Sequence, residues 1–282
     1  MPANLRNLVC WALHSDVNQR PKSFQDIVDS LITPEFTAWA EVLRCKQKTL
    51  EPQDSHHMRI LSHALEMLLA LQEDCFGRNH HVIGCTLSCL GSVSCCHLGE
   101  AWRGRDLLEK ALCIQERVYG PEHRVVATIL TNLGNAYGNL GDPQMKRDLL
   151  AEALRIQERE YGTEHREVAI TLANLGCAHG DLGDALTKRD LLEKALRIKE
   201  REYGLEHREV AKTLTSLGNA YGYLADAQAM RDLLKKALRI QEREYGAEHR
   251  QVAATLTNLG IAYWCVHHVF WCAAGKPWHR SE

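Results

Sequence analysis

The chain has 282 residues, with 34 Lys and Arg against 36 Asp and Glu and a formal net charge of −2 at pH 7, so no basic field is present to gather nucleic acid or anionic lipid. Its 11 cysteines, an odd number without regular Cys-x-x-Cys spacing, read as free thiols in a reducing, cytoplasmic compartment. No apolar run approaches the roughly 18 residues of a membrane helix, and the N-terminus lacks a basic stretch followed by a signal-type apolar core.

In chain order, Leu5, Leu8, Val9, Trp11, Ala12 and Leu13 give a short helical apolar face, which Asp16 to Pro21 breaks. Phe24, Ile27, Val28 and Leu31 then stand at i, i+3, i+4 and i+7, predicting a second helix with Ser23 and Asp26 as a capping box. Cys10-Trp11, Asp16, Arg20-Pro21, Phe24 and Ile27-Val28 resemble the end of a protein kinase catalytic domain. The interval from Trp11 to Asp16 is two residues longer than in that family, and Phe24 comes one residue late. The resemblance implies no kinase activity, because the glycine-rich loop, phosphate-pairing lysine, catalytic-loop aspartate and Asp-Phe-Gly are missing. Residues 1–34 therefore read as part of a longer kinase-plus-repeat protein, as a relic helical cap, or as two amphipathic helices that match by coincidence. Residues 35–79 read as a degenerate helical repeat or cap. Trp39, Val42 and Leu43 mark its first helix. Ile60, Leu61, Ala64, Leu65, Leu68 and Leu69 form the stripe of its second, which closes at Phe76-Gly77.

From residue 80 to 263 a unit of 42 residues recurs. Leu133-Gly134, Leu175-Gly176, Leu217-Gly218 and Leu259-Gly260 keep this step, as do Tyr119-Gly120, Tyr161-Gly162, Tyr203-Gly204 and Tyr245-Gly246. His123, His165, His207 and His249 follow it too. Such a period marks an array of small units that must stack to bury their apolar faces. In one unit Val125, Leu130, Leu133, Ala136 and Tyr137 predict a first helix, A. Gly141-Asp142-Pro143 predicts a tight turn, and Leu149, Leu150, Ala153, Leu154 and Ile156 predict a second helix, B. Gly162 is expected to close helix B in the left-handed conformation. The repeated glycine after Leu costs about 1 kcal/mol of helix propensity, which predicts a helix approach too close for a Cβ. Between Gly91 and Gly99 there is one residue more than between Gly134 and Gly141, predicting a kink, bulge or looser turn. Glu193 and Arg197 are placed as an i,i+4 pair. The Arg-Asp neighbours at 105–106, 147–148, 189–190 and 231–232 are expected not to face each other.

Leu133-Gly134, Tyr137, Gly141-Asp142 and Ala153 resemble the tetratricopeptide repeat, whose usual unit has about 34 residues. The 42-residue form, extended by a stretch of the type Arg-Ile-Gln-Glu-Arg-Glu-Tyr-Gly, is similar to the repeats of kinesin light chain and nephrocystin-3-like proteins. Lys146, Lys188, Met230 and Gly104 depart from that family's small residue early in helix B. The resemblance implies an all-α, right-handed superhelical solenoid of antiparallel helix pairs, with the A helices lining the concave side. Its groove positions fall on Thr128, Thr131, Asn135, Gly138 and Asn139 in one unit. The next unit contributes Ile170, Ala173, Cys177, Gly180 and Asp181, and the third Lys212, Thr215, Asn219, Gly222 and Tyr223. Gly138, Gly180 and Gly222 are expected to leave the groove floor open. Asn132, Asn174 and Asn258 lie beside these positions. They either hold the backbone of an extended peptide or tie neighbouring repeats together. Tyr223 and Lys212 are the first anchor candidates.

His80, His81, Cys85, Cys89, Cys95, Cys96 and His97 are the one metal-like cluster, and their spacing fits small-residue packing better than a closed zinc site. The recurring histidines stand 42 residues apart and cannot share a metal. No nucleophilic set or phosphate-cradling loop is present, so neither enzyme activity, cofactor nor metal is expected. Residues 264–282 read as an irregular tail, either a truncation, a wrongly predicted exon or a hydrophobic cap. The function implied is non-catalytic binding of a protein or peptide in the concave groove, with no nucleic acid or membrane partner. The alternatives are a substrate- or partner-recognition fragment of a kinase and a self-associating structural array.

Overall fold

The computed structural model describes residues 55–273, and their regular structure is all helical. The chain divides into two compact units, the first ending at Asp142 and the second beginning at Pro143. The first unit holds α1 (Ser55–Phe76), α2 (His81–Cys96), α3 (Ala101–Tyr119) and α4 (Arg124–Asn139). The second holds α5 (Pro143–Tyr161), α6 (Arg166–Asp181), α7 (Ala185–Tyr203), α8 (Arg208–Tyr223), α9 (Ala227–Tyr245) and α10 (Arg250–Ala273). Within each unit every helix packs on the next in sequence. This is the all-α solenoid class of paired antiparallel helices, with α2, α4, α6, α8 and α10 as A helices and the odd-numbered ones as B helices. The kinase-like residues 10–28 lie outside the described residues. The amphipathic run ending at Phe76 lies in α1. The last helix, α10, continues past Tyr263 to Ala273.

Each A helix starts in the same way. His80, His123, His165, His207 and His249 accept the backbone N–H two residues on through Nδ1, at 3.1 to 3.4 Å. One orphan donor of each helix start is satisfied, a contribution of about 1 kcal/mol per cap. Each ring also stacks on the aromatic that ends the preceding B helix, with centroids 4.5 to 4.7 Å apart: Phe76, Tyr119, Tyr161, Tyr203 and Tyr245. The histidine column is therefore a joint between B and A helices. Between stack and cap, Gly120, Gly204 and Gly246 have φ of 82 to 83° and ψ of 158 to 159°. Gly162 shares their positive φ. For the three glycines with that ψ the pair lies beyond the left-handed helical region expected for this position, in a region open essentially to glycine alone.

The A-to-B turns use true left-handed caps. After α6, Asp184 N–H reaches the His179 carbonyl (2.9 Å) and Gly183 N–H the Gly180 carbonyl (3.0 Å), the paired bonds of a Schellman motif. After α8 the same bonds form around Ala225, with φ of 61°, the one described non-glycine residue with positive φ. The expected irregularity after Gly91 is a bulge in the last turn of α2. Leu98 N–H bonds the Val93 carbonyl and Glu100 N–H the Ser94 carbonyl. Each bond spans one residue more than its regular counterpart, so the extra residue is absorbed as a π-type widening.

The crossing glycines are where the sequence places them. A Cβ on Gly176 would lie 3.2 Å from Leu192 Cγ, and one on Gly218 3.0 Å from Leu234 Cγ. One turn further, each pair shares volume differently. In the second unit, Lys188 occupies the space a Cβ on Gly180 would need (2.5 Å to Cδ), and Met230 the space beside Gly222 (2.9 Å to Sδ). In the first unit the roles reverse: Cys95 supplies the bulk, and a Cβ on Gly104 would meet its Sγ at 2.0 Å. Burial, with Cys96 second, pushes the Cys95 thiol up to about 11, so it is a protonated filler and not a nucleophile.

Buried polar pairs link three of the described B helices, α1, α7 and α9, to the A helix that follows. Thr86 donates to Gln72 Oε1 and Thr255 to Gln241 Oε1, both at 2.7 Å, while Lys199 Nζ donates to Thr213 at 3.0 Å. At the equivalent place Ile129 stands where threonine would, and Gln115 Oε1 has no partner. Two charge expectations are corrected. The Glu193 carboxylate accepts from Tyr221 O–H (2.8 Å), and Arg197 Nε reaches only the Glu193 carbonyl (3.4 Å). The neighbouring Arg-Asp pairs do bond, at 2.6 to 2.9 Å through Nη2, because the long arginine folds back on itself. At such exposed, water-screened sites these pairs add little to stability.

Candidate functional site

In the second unit successive A helices contact one another, α6 with α8 and α8 with α10. Asn258 Nδ2 donates to Asn219 Oδ1 at 3.1 Å, tying α10 to α8. Thr215 accepts from Gln241 Nε2 (3.3 Å) and donates to the Ala211 carbonyl (3.0 Å). Asn174 is half-buried on α6. Asp181, exposed at the end of α6, takes Lys146 Nζ at 3.2 Å.

Two features stand out along this row of A helices. Tyr223 ends α8 with 73% of its surface exposed, and Lys188 Nζ lies 5.2 Å from its ring centroid. The lysine stem fills the Gly180 hollow while its ammonium steadies the ring, a cation–π contact of about 0.5–1 kcal/mol at an exposed site. The floor at Gly180 and Gly222 is therefore filled by Lys188 and Met230, not open as expected. The second feature is a charge cluster at the start of α8. Lys212 Nζ donates to Glu209 Oε1 at 2.8 Å, and Lys199 Nζ lies 3.9 Å from Glu209 Oε2. Burial alone would push the Glu209 carboxyl up, but the Lys212 hydrogen bond and the two ammonium charges outweigh it and hold it below its usual range. Burial pushes Lys199 down, against the opposing pull of Glu209.

In the first unit the predicted positions are more self-satisfied. Thr131 is buried and returns its hydroxyl to the Ala127 carbonyl (2.9 Å), and exposed Thr128 does the same to Arg124 (3.2 Å). Asn139 Nδ2 donates to the Cys95 carbonyl at 3.2 Å, within the widened turn of α2. Asn132 and Asn135 are half-buried on α4. The second unit brings together Lys212, Thr215, Asn219, Tyr223 and Asn258. Sequence reasoning missed Lys188 and Lys199. Lys199 had a signal, since it interrupts a column otherwise filled by Gln115, Gln157 and Gln241.

Among the described residues no group of three or more His, Cys, Asp or Glu is placed to hold a metal ion, and no helix is long and apolar enough to cross a membrane. No disulfide joins the cysteines whose side chains are described.

Comparison with known proteins agrees with this architecture. No curated protein matches the sequence. Among solved structures, the nearly identical TPR-like repeats assigned to a kinesin light chain of Podosopora anserina align with TM-score 0.56 and 21% identity, over 76% of this chain and 99% of theirs. BtubC (BKLC) from P. vanneervenii aligns with TM-score 0.56 and 18% identity, over 89% of this chain and 96% of its own. The apo form of RapI aligns with TM-score 0.56 and 15% identity, over 84% and 85%. At these identities the likeness is one of fold. Models of the tetratricopeptide repeat match residues 82–145, 126–167, 168–209 and 217–268, together more than half of the chain, and the kinase-like residues 10–28 lie outside those matches. The chain belongs to the tetratricopeptide repeat family, with repeats similar to those of kinesin light chain, and its fold is one generally used for protein–protein interaction rather than catalysis.

Proposed function

We propose that the chain is a non-catalytic scaffold that binds an extended peptide segment of a partner protein along the inner face of the second unit. The observation that carries this reading is Tyr223. A large ring exposed on an inner helix, already steadied by Lys188, offers an anchor at low ordering cost. Lys212 and Glu209 set a charged pair on the same helix, and the carboxamides of Asn174, Asn219 and Asn258 both donate and accept toward a peptide backbone. A reducing, cytoplasmic setting suits described cysteines that form no disulfide.

The test is selection of peptides from a random display library on the purified chain, followed by titration against variants. Tyr223→Ala is expected to weaken the selected peptide at least about tenfold, the scale of an aromatic anchor. Lys212→Ala is expected to weaken it several-fold and to flatten its salt dependence. Affinities within twofold of wild type for both variants would remove the groove from the account.

A further inference from the structure

Lys188 is a buried cation without a counter-ion. Only 9% of its surface is exposed, yet its ammonium makes no hydrogen bond or ion pair among the described residues and meets only the face of the Tyr223 ring. The carboxylates nearest it in sequence are in use. Asp184 accepts from Thr187 N–H at 3.0 Å and faces His179 at 3.3 Å, Asp190 is bonded by Arg189, and Asp181 takes Lys146. Lys199 and Lys212, by contrast, share Glu209. Taking an ammonium out of water is costly unless an anion or other acceptors replace the water, and a ring face replaces only part of it.

The preceding repeat shows what is missing. Lys146 holds on α5 the place that Lys188 holds on α7, and Asp181 stands where Tyr223 stands one repeat later. There Lys146 Nζ meets Asp181 Oδ2 at 3.2 Å. In the next repeat the lysine is kept, but the carboxylate is exchanged for a tyrosine whose hydroxyl also makes no hydrogen bond among the described residues. The ammonium is held in place by the hollow at Gly180, where a Cβ would stand 2.8 Å from Nζ. Its three donors therefore point to a ligand that this chain does not itself supply. We propose that Lys188 and Tyr223 form a subsite for one carboxylate, the side chain of an aspartate or glutamate in the bound peptide. That carboxylate accepts from the Lys188 ammonium at the edge of the exposed Tyr223 ring, and does for Lys188 what Asp181 does for Lys146. The subsite rests on the groove reading above and adds to it the charge of one ligand residue. A charge-assisted bond to a preplaced, already desolvated ammonium is of the strong kind.

The test uses peptides selected from a random display library on the full chain. Wild type is expected to enrich Asp or Glu at one fixed peptide position. Replacing that residue by its amide, Asn or Gln, is expected to weaken binding about tenfold, the scale of one charge-assisted hydrogen bond. Lys188→Met imports the side chain that Met230 places in the equivalent hollow, so it is expected to leave or raise the thermal midpoint. It is also expected to weaken the acidic peptide about tenfold and to bind acid and amide alike. Tyr223→Asp recreates the Lys146–Asp181 pair and is expected to erase the acid–amide difference, whereas Tyr223→Asn leaves the ammonium free and is expected to keep it. Lys212→Ala is expected to weaken both peptides by the same factor. A consensus without an acidic residue, or an acid–amide difference that survives Lys188→Met, overturns the subsite and leaves the groove standing. Peptides indifferent to both Tyr223→Ala and Lys212→Ala, or a library that yields no binder, overturn the groove and the subsite together.

Discussion

The two units solve one packing problem with opposite residues. Where the A and B helices cross in the second unit, glycine sits on the A helix and Lys188 or Met230 enters from the B helix. In the first unit, Cys95 projects from the A helix and Gly104 is the hollow on the B helix. What the crossing fixes is the summed volume between the two backbones, and either helix can supply it. The same holds for chain length. The first unit carries one more residue between α2 and α3 and absorbs it as a widened last turn, leaving α2 with the 16 residues of α4, α6 and α8.

The strongest way to break this comparison is at Gly104. Gly104→Ala places a Cβ against Cys95 Sγ and against the Gly91 carbonyl (2.8 Å), so a loss of about 2–3 kcal/mol is expected in denaturant unfolding. Adding Cys95→Gly, which imports the second unit's solution, is expected to recover part of that loss, with a coupling of about 1 kcal/mol or more. Strictly additive losses would show that the two side chains do not share one volume.

A contrast between two turn positions comes next. Gly204→Ala meets no atom, yet forces alanine into a backbone region open essentially to glycine, and is expected to cost about 1–3 kcal/mol. Ala225→Gly goes the other way, relieving a left-handed alanine, and is expected to stabilise by up to about 1 kcal/mol. Equal and small effects at both sites would mean that the turn geometry carries no strain.

Much of the fold was readable because it repeats. Apolar spacing marked every A and B helix in the array, and the glycine column marked the close crossings. The residues that link one helix to the next were less readable. The histidine column was visible, but its role depends on a ring stack across the Tyr-Gly joint and on Nδ1 facing a backbone N–H, neither of which follows from spacing. The Tyr-Gly glycine was expected to be left-handed because a glycine there signals only a positive φ, and its ψ of 158 to 159° appears only in the structure. The inner-face residues could be named by position, whereas Lys188 acts from a B helix, 35 residues before the Tyr223 ring it covers. The bonded Arg-Asp neighbours were missed because helix geometry describes where side chains start, and a long arginine can fold back.

The smallest expected effect concerns the charge cluster beneath the candidate site. Burial holds Lys199 below the ordinary lysine range. Between its folded and unfolded pKa values the unfolded chain binds the proton and the folded chain does not, so stability rises with pH in that window. Below the folded value the cost of the buried charge is fully present. Lys199→Gln restores the residue found at 115, 157 and 241, where Gln241 already pairs with Thr255 at 2.7 Å. It is expected to stabilise by up to about 1 kcal/mol at neutral pH and to abolish the alkaline rise. An unchanged pH profile would show that Lys199 is not desolvated as its surroundings imply.

The most direct test of the binding account is hydrogen exchange of the full chain with and without a library-selected peptide. The account predicts added protection concentrated in α6, α8 and α10, strongest near Tyr223. Protection confined to the outer B helices α5, α7 and α9, with the inner face unchanged, would contradict it.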